Sequence, residues 1–218
     1  MPHFIFQREQ RGCVILIGGD SALANALHAI VAQTNHVFFS VIHNTAKKPP
    51  TDTDKHFYAD LSNAESVKSL YKRIATAGYR PELVIFQPEP PQPRTTLDIT
   101  AHEAEIRWQG TGLSLFLVAQ AALQVMTRNK RGSLLILGST LAMKSQENMN
   151  LDTAMYAGLR ALSQSLAREF HPQGIHVVYV AQSDLAGHDK NAKLTADLCW
   201  QLHQQPSNAW TQEVVISD

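Results

Sequence analysis

The sequence predicts an α/β fold, a doubly wound parallel sheet in a three-layer αβα sandwich. Three observations predict it. Short apolar runs, CVILIG (13–18), LLIL (134–137) and GIHVVYV (174–180), read as strands buried on both faces. Longer segments between them carry apolar residues at helical spacing. The two kinds alternate along the chain, the pattern of parallel strands joined by crossover helices.

Each element follows from local chemistry. After the first strand, SALANALHAIVAQT (21–34) reads as a helix capped by Ser21. HVFFSVI (36–42) is the second strand, and NTAKKPPTDTDK (44–55) is a polar, proline-containing loop. Ser62 and Glu65 match a capping box that opens the next helix. ELVIFQ (82–87) is a strand, and QPEPPQPRTTLD (87–98) is too poor in backbone donors to continue it. A long helical segment runs from about His102 to Arg128. The strand ending at Ser139 follows, then a helix opened by Asp152, then the strand GIHVVYV. KLTADLCWQLHQQ (193–205) forms a short helix and TQEVVIS (211–217) a last strand. With no repeat and no composition shift, residues 1–218 read as one domain.

Composition excludes several function classes. The 19 basic and 19 acidic residues balance, so neither nucleic acid nor an anionic membrane is expected as a partner. No stretch approaches the ~20 apolar residues of a membrane span, and MPHFIFQREQRG does not read as a signal peptide. Cys13 and Cys199 sit in apolar segments and read as reduced core residues, which places the chain in the cytoplasm. None of the 10 histidines forms a sequence cluster with metal-ligand spacing, so no metal site is expected. His171 and His176, on either side of a turn, read as surface or packing residues.

The candidate site lies just beyond the carboxyl ends of the strands, where open parallel sheets bind ligands. Ser139 ends a strand, and Asp152 follows 13 residues later, with Tyr156 one turn along the same helix. The first strand ends in Gly18-Gly19-Asp20-Ser21-Ala22-Leu23-Ala24, a turn of the kind that offers helix N-terminal amides to phosphate. The arrangement of strand, Ser, 13 residues, helix and Gly-Ile strand resembles the C-terminal half of the short-chain dehydrogenase/reductase family. The ending WQLHQQPSNAWTQE (200–213) is similar to that of one divergent branch. The resemblance covers nearly the whole chain and implies a Rossmann-like sandwich.

The resemblance implies a catalytic group at Ser139, Asp152, Tyr156 and Thr111. Ser139 stands at the family's Ser, Asp152 at its Tyr, Tyr156 at its Lys and Thr111 at its Asn. Glu169 supports this register, lying 13 residues after Tyr156 and 9 after Arg160. The alternative register pairs Tyr156 with Arg160 as an intact dyad. NAD or NADP is the cofactor that the resemblance implies. Gly18, Ser21, Ala22 and Leu23 stand at its pyrophosphate turn, Asp60 and Leu61 near adenine, and Gln87 beyond the fourth strand. Ala22 adds a methyl close to phosphate, and Ile85-Phe86-Gln87-Pro88 replaces Asn-Asn-Ala-Gly. Lys47 and Lys48 could attract a phosphate.

A carboxylate at a helix N-terminus is a poor proton donor at neutral pH. Ser139 has no base at recognisable spacing, and the segment DLAGHDKN is short for a substrate-covering loop. The expected function is therefore that of a protein with degraded catalytic and cofactor motifs, binding nucleotide weakly or not at all. The rival is an atypical NAD(P)-dependent oxidoreductase acting on a small carbonyl or alcohol. Two apolar stripes on the helix 154–170, one through Met155, Leu159, Leu162 and Leu166 and one through Ala157 and Ala161, predict a homodimer or homotetramer.

Overall fold

A computed structural model describes residues 10–19, 21–46, 50–183 and 191–216. In chain order, β1 (Arg11–Ile17) leads to α1 (Ala22–Val31), then β2 (Val37–His43), β3 (His56–Ala59) and α2 (Ala64–Thr76). β4 (Tyr79–Phe86) is followed by α3 (Ala101–Trp108), α4 (Ser114–Asn129) and β5 (Gly132–Ser139). α5 (Asn150–Phe170), β6 (Ile175–Gln182), α6 (Ala192–Gln204) and β7 (Glu213–Ile216) complete it.

All seven strands join one parallel sheet in the order β3-β2-β1-β4-β5-β6-β7. The chain leaves β1 towards one edge and returns at β4 towards the other. The topological switch point therefore lies between β1 and β4. One face of the sheet is covered by α2, α4 and α5, with Ile15, Phe86, Leu115, Ile136 and Leu159 in that core. The other is covered by α1 and α6, around Leu16, Leu27, Ile85, Leu137 and Cys199. The doubly wound αβα sandwich expected from the sequence is the observed fold.

Some local expectations hold. Ser21 caps α1, its Oγ accepting from Ala24 N at 3.2 Å. Cys13 and Cys199 are free and buried; burial pushes the Cys199 thiol up to about 12. His176 is buried and stacked on Trp210 with a 1° interplanar angle. Other expectations are corrected or completed. The segment His56–Ala59, unassigned from the sequence, is a strand: its four residues pair beside β2 at the sheet edge, too short to show a period. α2 is capped by Asn63, whose side chain accepts from Ser66 N, while Ser62 Oγ donates to Asp60 Oδ1 at 2.6 Å. The long helix is continuous from α3 to α4 but widens at Gln109–Leu113 into a π turn. There Ser114 N–H reaches back five residues to Gln109 O. By length and composition this 29-residue helix could cross a membrane, but half of its apolar window is buried against the fold.

Candidate active site at the carboxyl edge of the sheet

Helix α5 begins at Asn150, two residues ahead of Asp152, with Met149 as the N-cap residue. Asp152 therefore does not cap the helix; its carboxylate turns inward and is 2% exposed. Oδ1 is ion-paired with Arg107 of α3, and Oδ2 accepts from Gln92 N at 3.0 Å. One side chain thus ties α5, α3 and the proline-rich loop after β4 together. Arg107 also lies 4.0 Å from Glu89. The cavity beside the pair, bounded by Gln92, Arg107 and Leu151 among others, measures about 20 Å³. That is the room of one water molecule.

Tyr156 is 1% exposed, and its hydroxyl donates to Glu89 O at 2.9 Å. Burial, reinforced by the Asp152 carboxylate, raises its pKa above the ordinary tyrosine value. Arg160 points elsewhere: Nε lies 3.0 Å from both carboxylate oxygens of Glu213 on β7. No Tyr156–Arg160 dyad is formed. Ser139 is 4% exposed, and its Oγ accepts from Leu141 N at 3.1 Å, capping the 3-10 turn Thr140–Ala142. Its main chain is held by Tyr179, whose hydroxyl lies 3.1 Å from both Ser139 N and Ser139 O. Thr111 is buried within the π turn, and its neighbour Gly110 faces the cleft described next. π turns inside α-helices recur at functional sites.

A cleft of about 300 Å³ opens at the switch point. The ends of β1 (Gly18, Gly19), β2 (His43) and β4 (Gln87, Pro88) line it, with Leu61 and Gly110. Its polar groups are largely engaged within the chain. Leu61 N donates to His43 Nδ1 at 3.1 Å, and Asp60 Oδ1 accepts from Ser62 N and Oγ. Gly18 packs on Gln87: a Cβ there would fall 2.7 Å from Gln87 O, at a φ of +147° that already favours glycine. Gln87 N donates to Ile17 O at 2.8 Å, and its side chain lies 3.5 Å from Ser21 Oγ. Ala22 and Leu23 form the first residues of α1, with Leu23 in the core. Lys47, Lys48 and most of the segment DLAGHDKN lie outside the described residues.

A profile of the family described as enoyl-(acyl carrier protein) reductase matches residues 22–195. The chain belongs to the short-chain dehydrogenase/reductase family. The match takes in Asp60, Leu61, Gln87, Thr111, Ser139, Asp152 and Tyr156, and begins just after Gly18 and Ser21. No curated protein sequence matches the chain. Solved structures of short-chain dehydrogenases share its fold at low identity. One from Rhodopseudomonas palustris is 22% identical with a TM-score of 0.80, over 95% of this chain and 98% of that one. Serine dehydrogenase from Escherichia coli is 12% identical with a TM-score of 0.78, over 94% and 96% of the two chains. A metagenomic short-chain oxidoreductase in complex with NADP is 15% identical with a TM-score of 0.79, over 96% and 98%.

One residue and one cluster have no signal in the sequence. Arg107 is 45 positions from Asp152 and carries no motif. At the opposite, N-terminal edge of the sheet, His36, Glu82 and His203 bring ligand-type atoms within 4.8 Å of one another. These residues are far apart in sequence, so their convergence left no mark in the histidine spacing.

Proposed function

We propose that this short-chain dehydrogenase/reductase is a non-catalytic member, a scaffold whose nucleotide cleft has weak affinity or none. The observation that carries the reading is the state of Asp152. In the register set by Glu169, Asp152 stands where the family places its proton-donating Tyr. Both oxygens of the Asp152 carboxylate are committed within the chain, Oδ1 to Arg107 and Oδ2 to Gln92 N, and are not free to engage a substrate oxygen. Tyr156, at the Lys position, donates its hydroxyl to Glu89 O and carries no charge to hold a ribose or lower a neighbour's pKa. Ser139 Oγ is engaged in capping. The groups near the expected adenine position, Leu61 N and the Asp60 carboxylate, already have partners within the chain.

NAD or NADP fits this cleft only in part. Ser21 and the N-terminus of α1 would face the pyrophosphate and supply amide hydrogen bonds, whereas the Gly18 and Gly19 amides already donate to Val41 O. Pro88, Glu89 and Pro90 line the rest of the cleft, and the prolines there offer no backbone donor. Calorimetric titration with NADH and NADPH tests the reading: binding weaker than low-micromolar, about −8 kcal/mol, is expected for both. Low-micromolar binding of either, with oxidation of the dinucleotide by a panel of aldehydes and ketones, would overturn it in favour of an atypical oxidoreductase.

The scaffold is proposed to be a homo-oligomer paired through α4 and α5. Ala154, Ala157 and Ala161 form an exposed small-residue face on α5. Phe116 of α4 is 49% exposed beside a broad groove between α2, α4 and α5. Apolar surface of this kind marks interaction sites on soluble domains.

A further inference from the structure

We infer that the cluster at the N-terminal edge of the sheet, His36, Glu82 and His203, is a binding site for a divalent transition metal of the zinc class. His36 immediately precedes β2, Glu82 lies in β4, and His203 lies in the last turn of α6. His36 Nε2 is 3.1 Å from Glu82 Oε2, close to the ~3.3 Å that separates ligands of a tetrahedral zinc at bond lengths of 2.0–2.1 Å. His203 completes the set within 4.8 Å and has to close by a fraction of that distance.

The hydrogen bonds around His36 argue for a cation between it and Glu82. Thr34 Oγ1 donates to Val31 O at 2.8 Å and accepts from His36 N at 3.1 Å. With its only hydrogen used, its contact with His36 Nδ1 at 3.2 Å has to be accepted from an Nδ1–H. A neutral His36 then turns the Nε2 lone pair towards a carboxylate oxygen. Two lone pairs at 3.1 Å repel, so a proton or a metal ion belongs between them. His203 is anchored in the same manner, Nδ1 lying 2.9 Å from Ser133 Oγ. Ligating histidines are typically oriented by such a contact at the other ring nitrogen.

The surroundings make room for the cluster. At Gly12, a Cβ would fall 2.8 Å from Glu82 Cδ and 3.0 Å from His36 Cδ2. Trp200 walls one side, its ring centroid 5.6 Å from that of His36 and 5.4 Å from that of His203. Two arginines compete with a metal for Glu82. Arg80 lies 2.5 Å from Oε1, leaving Oε2 turned to the histidines. Arg131 is 3.3 Å from Oε2 but 66% exposed, so it can swing into water when an ion enters. Three protein ligands and a solvent position, with imidazole and carboxylate donors, suit Zn²⁺, Co²⁺ or Ni²⁺ rather than Mg²⁺ or Ca²⁺. A bound ion would fasten the end of α6 to the sheet.

The test uses tag-free full-length protein stripped with chelator. Zn²⁺ titrated by calorimetry should bind one equivalent, and Co²⁺ should give the visible absorption of a low-coordinate site. His203→Phe and Glu82→Gln should each abolish the high-affinity equivalent. Arg131→Ala should tighten it several-fold, a change that an adventitious surface histidine would not show. Circular dichroism confirms folding of the variants, and Arg131→Ala decides the question if the Glu82 variant does not fold. Absence of saturable binding tighter than roughly 100 µM would overturn the proposal and leave the His36–Glu82 contact as a hydrogen bond. One-equivalent binding that survives both His36→Ala and His203→Phe would overturn it equally.

Discussion

Removing the Asp152 carboxylate leaves the partly buried Arg107 charge with only the more distant and exposed Glu89 nearby. Breaking a buried pair from one side costs about 3–5 kcal/mol. Asp152→Ala should fall near the lower end of that range in urea unfolding, because Glu89 offers partial compensation. The double variant Asp152→Leu with Arg107→Met should recover most of the loss, since it removes both charges and keeps the volume. A second residue gives a pH signature. Glu103 accepts from Thr100 N–H first, then from Arg94 and the Thr100 hydroxyl, and its pKa is lowered to about 2. A lowered folded-state pKa means that its contribution is complete above the ordinary carboxylate value. It is lost as pH falls from about 4.5 through 2. Glu103→Gln should flatten the acid limb of the stability curve in that window, as followed by thermal melts.

At the scale of elements, β5 and β6 are locked by the approach of Tyr179 to Gly138. A Cβ on Gly138 would stand 2.1 Å from the Tyr179 ring and hydroxyl. Gly138→Ala should destabilise the chain by about 1–3 kcal/mol through overpacking, and Tyr179→Phe should relieve part of it in a double-mutant cycle. Which elements could be read from sequence follows from the same physics. β1, β5 and β6 are buried on both faces and announce themselves as unbroken apolar runs. β3 is four edge residues, His56–Ala59, with one buried residue in two, and nothing distinguishes it from loop. The start of α5 was displaced because an acid near a helix beginning reads as a cap. Asp152 instead spends its charge on a tertiary partner 45 residues away. The position of Glu169 argued against a Tyr156–Arg160 dyad, and Arg160 is paired with Glu213 instead. The partners Arg107, Gln92 and Glu89 were not legible, since pairing across a fold leaves no periodic mark.

For the whole molecule, pairing through α4 and α5 predicts that light scattering at micromolar concentration gives at least twice the 24.2 kDa chain mass. Phe116→Arg, on the exposed side of α4, should shift that mass towards the monomer while leaving the far-ultraviolet dichroism unchanged. A wild-type monomer would remove the oligomer proposal. The two ends of the sheet have also diverged in character. At the carboxyl edge, polar groups are consumed by contacts within the chain. At the amino edge, two histidines and an acid converge from three elements onto one point.

The three-way tie at Asp152 bears on how freely the proposed loss of chemistry could be reversed. In the proposed register, Asp152→Tyr would return the family's residue to its position, yet the same exchange would strand the Arg107 charge and release the Gln92 amide. Loop, α3 and α5 would each lose a fastening at one stroke. On the proposed reading, recovery of the family's chemistry would therefore run through intermediates less stable than either end. The ion pair acts as a ratchet, and a route back has to change Arg107 and the proline-rich loop before it changes Asp152.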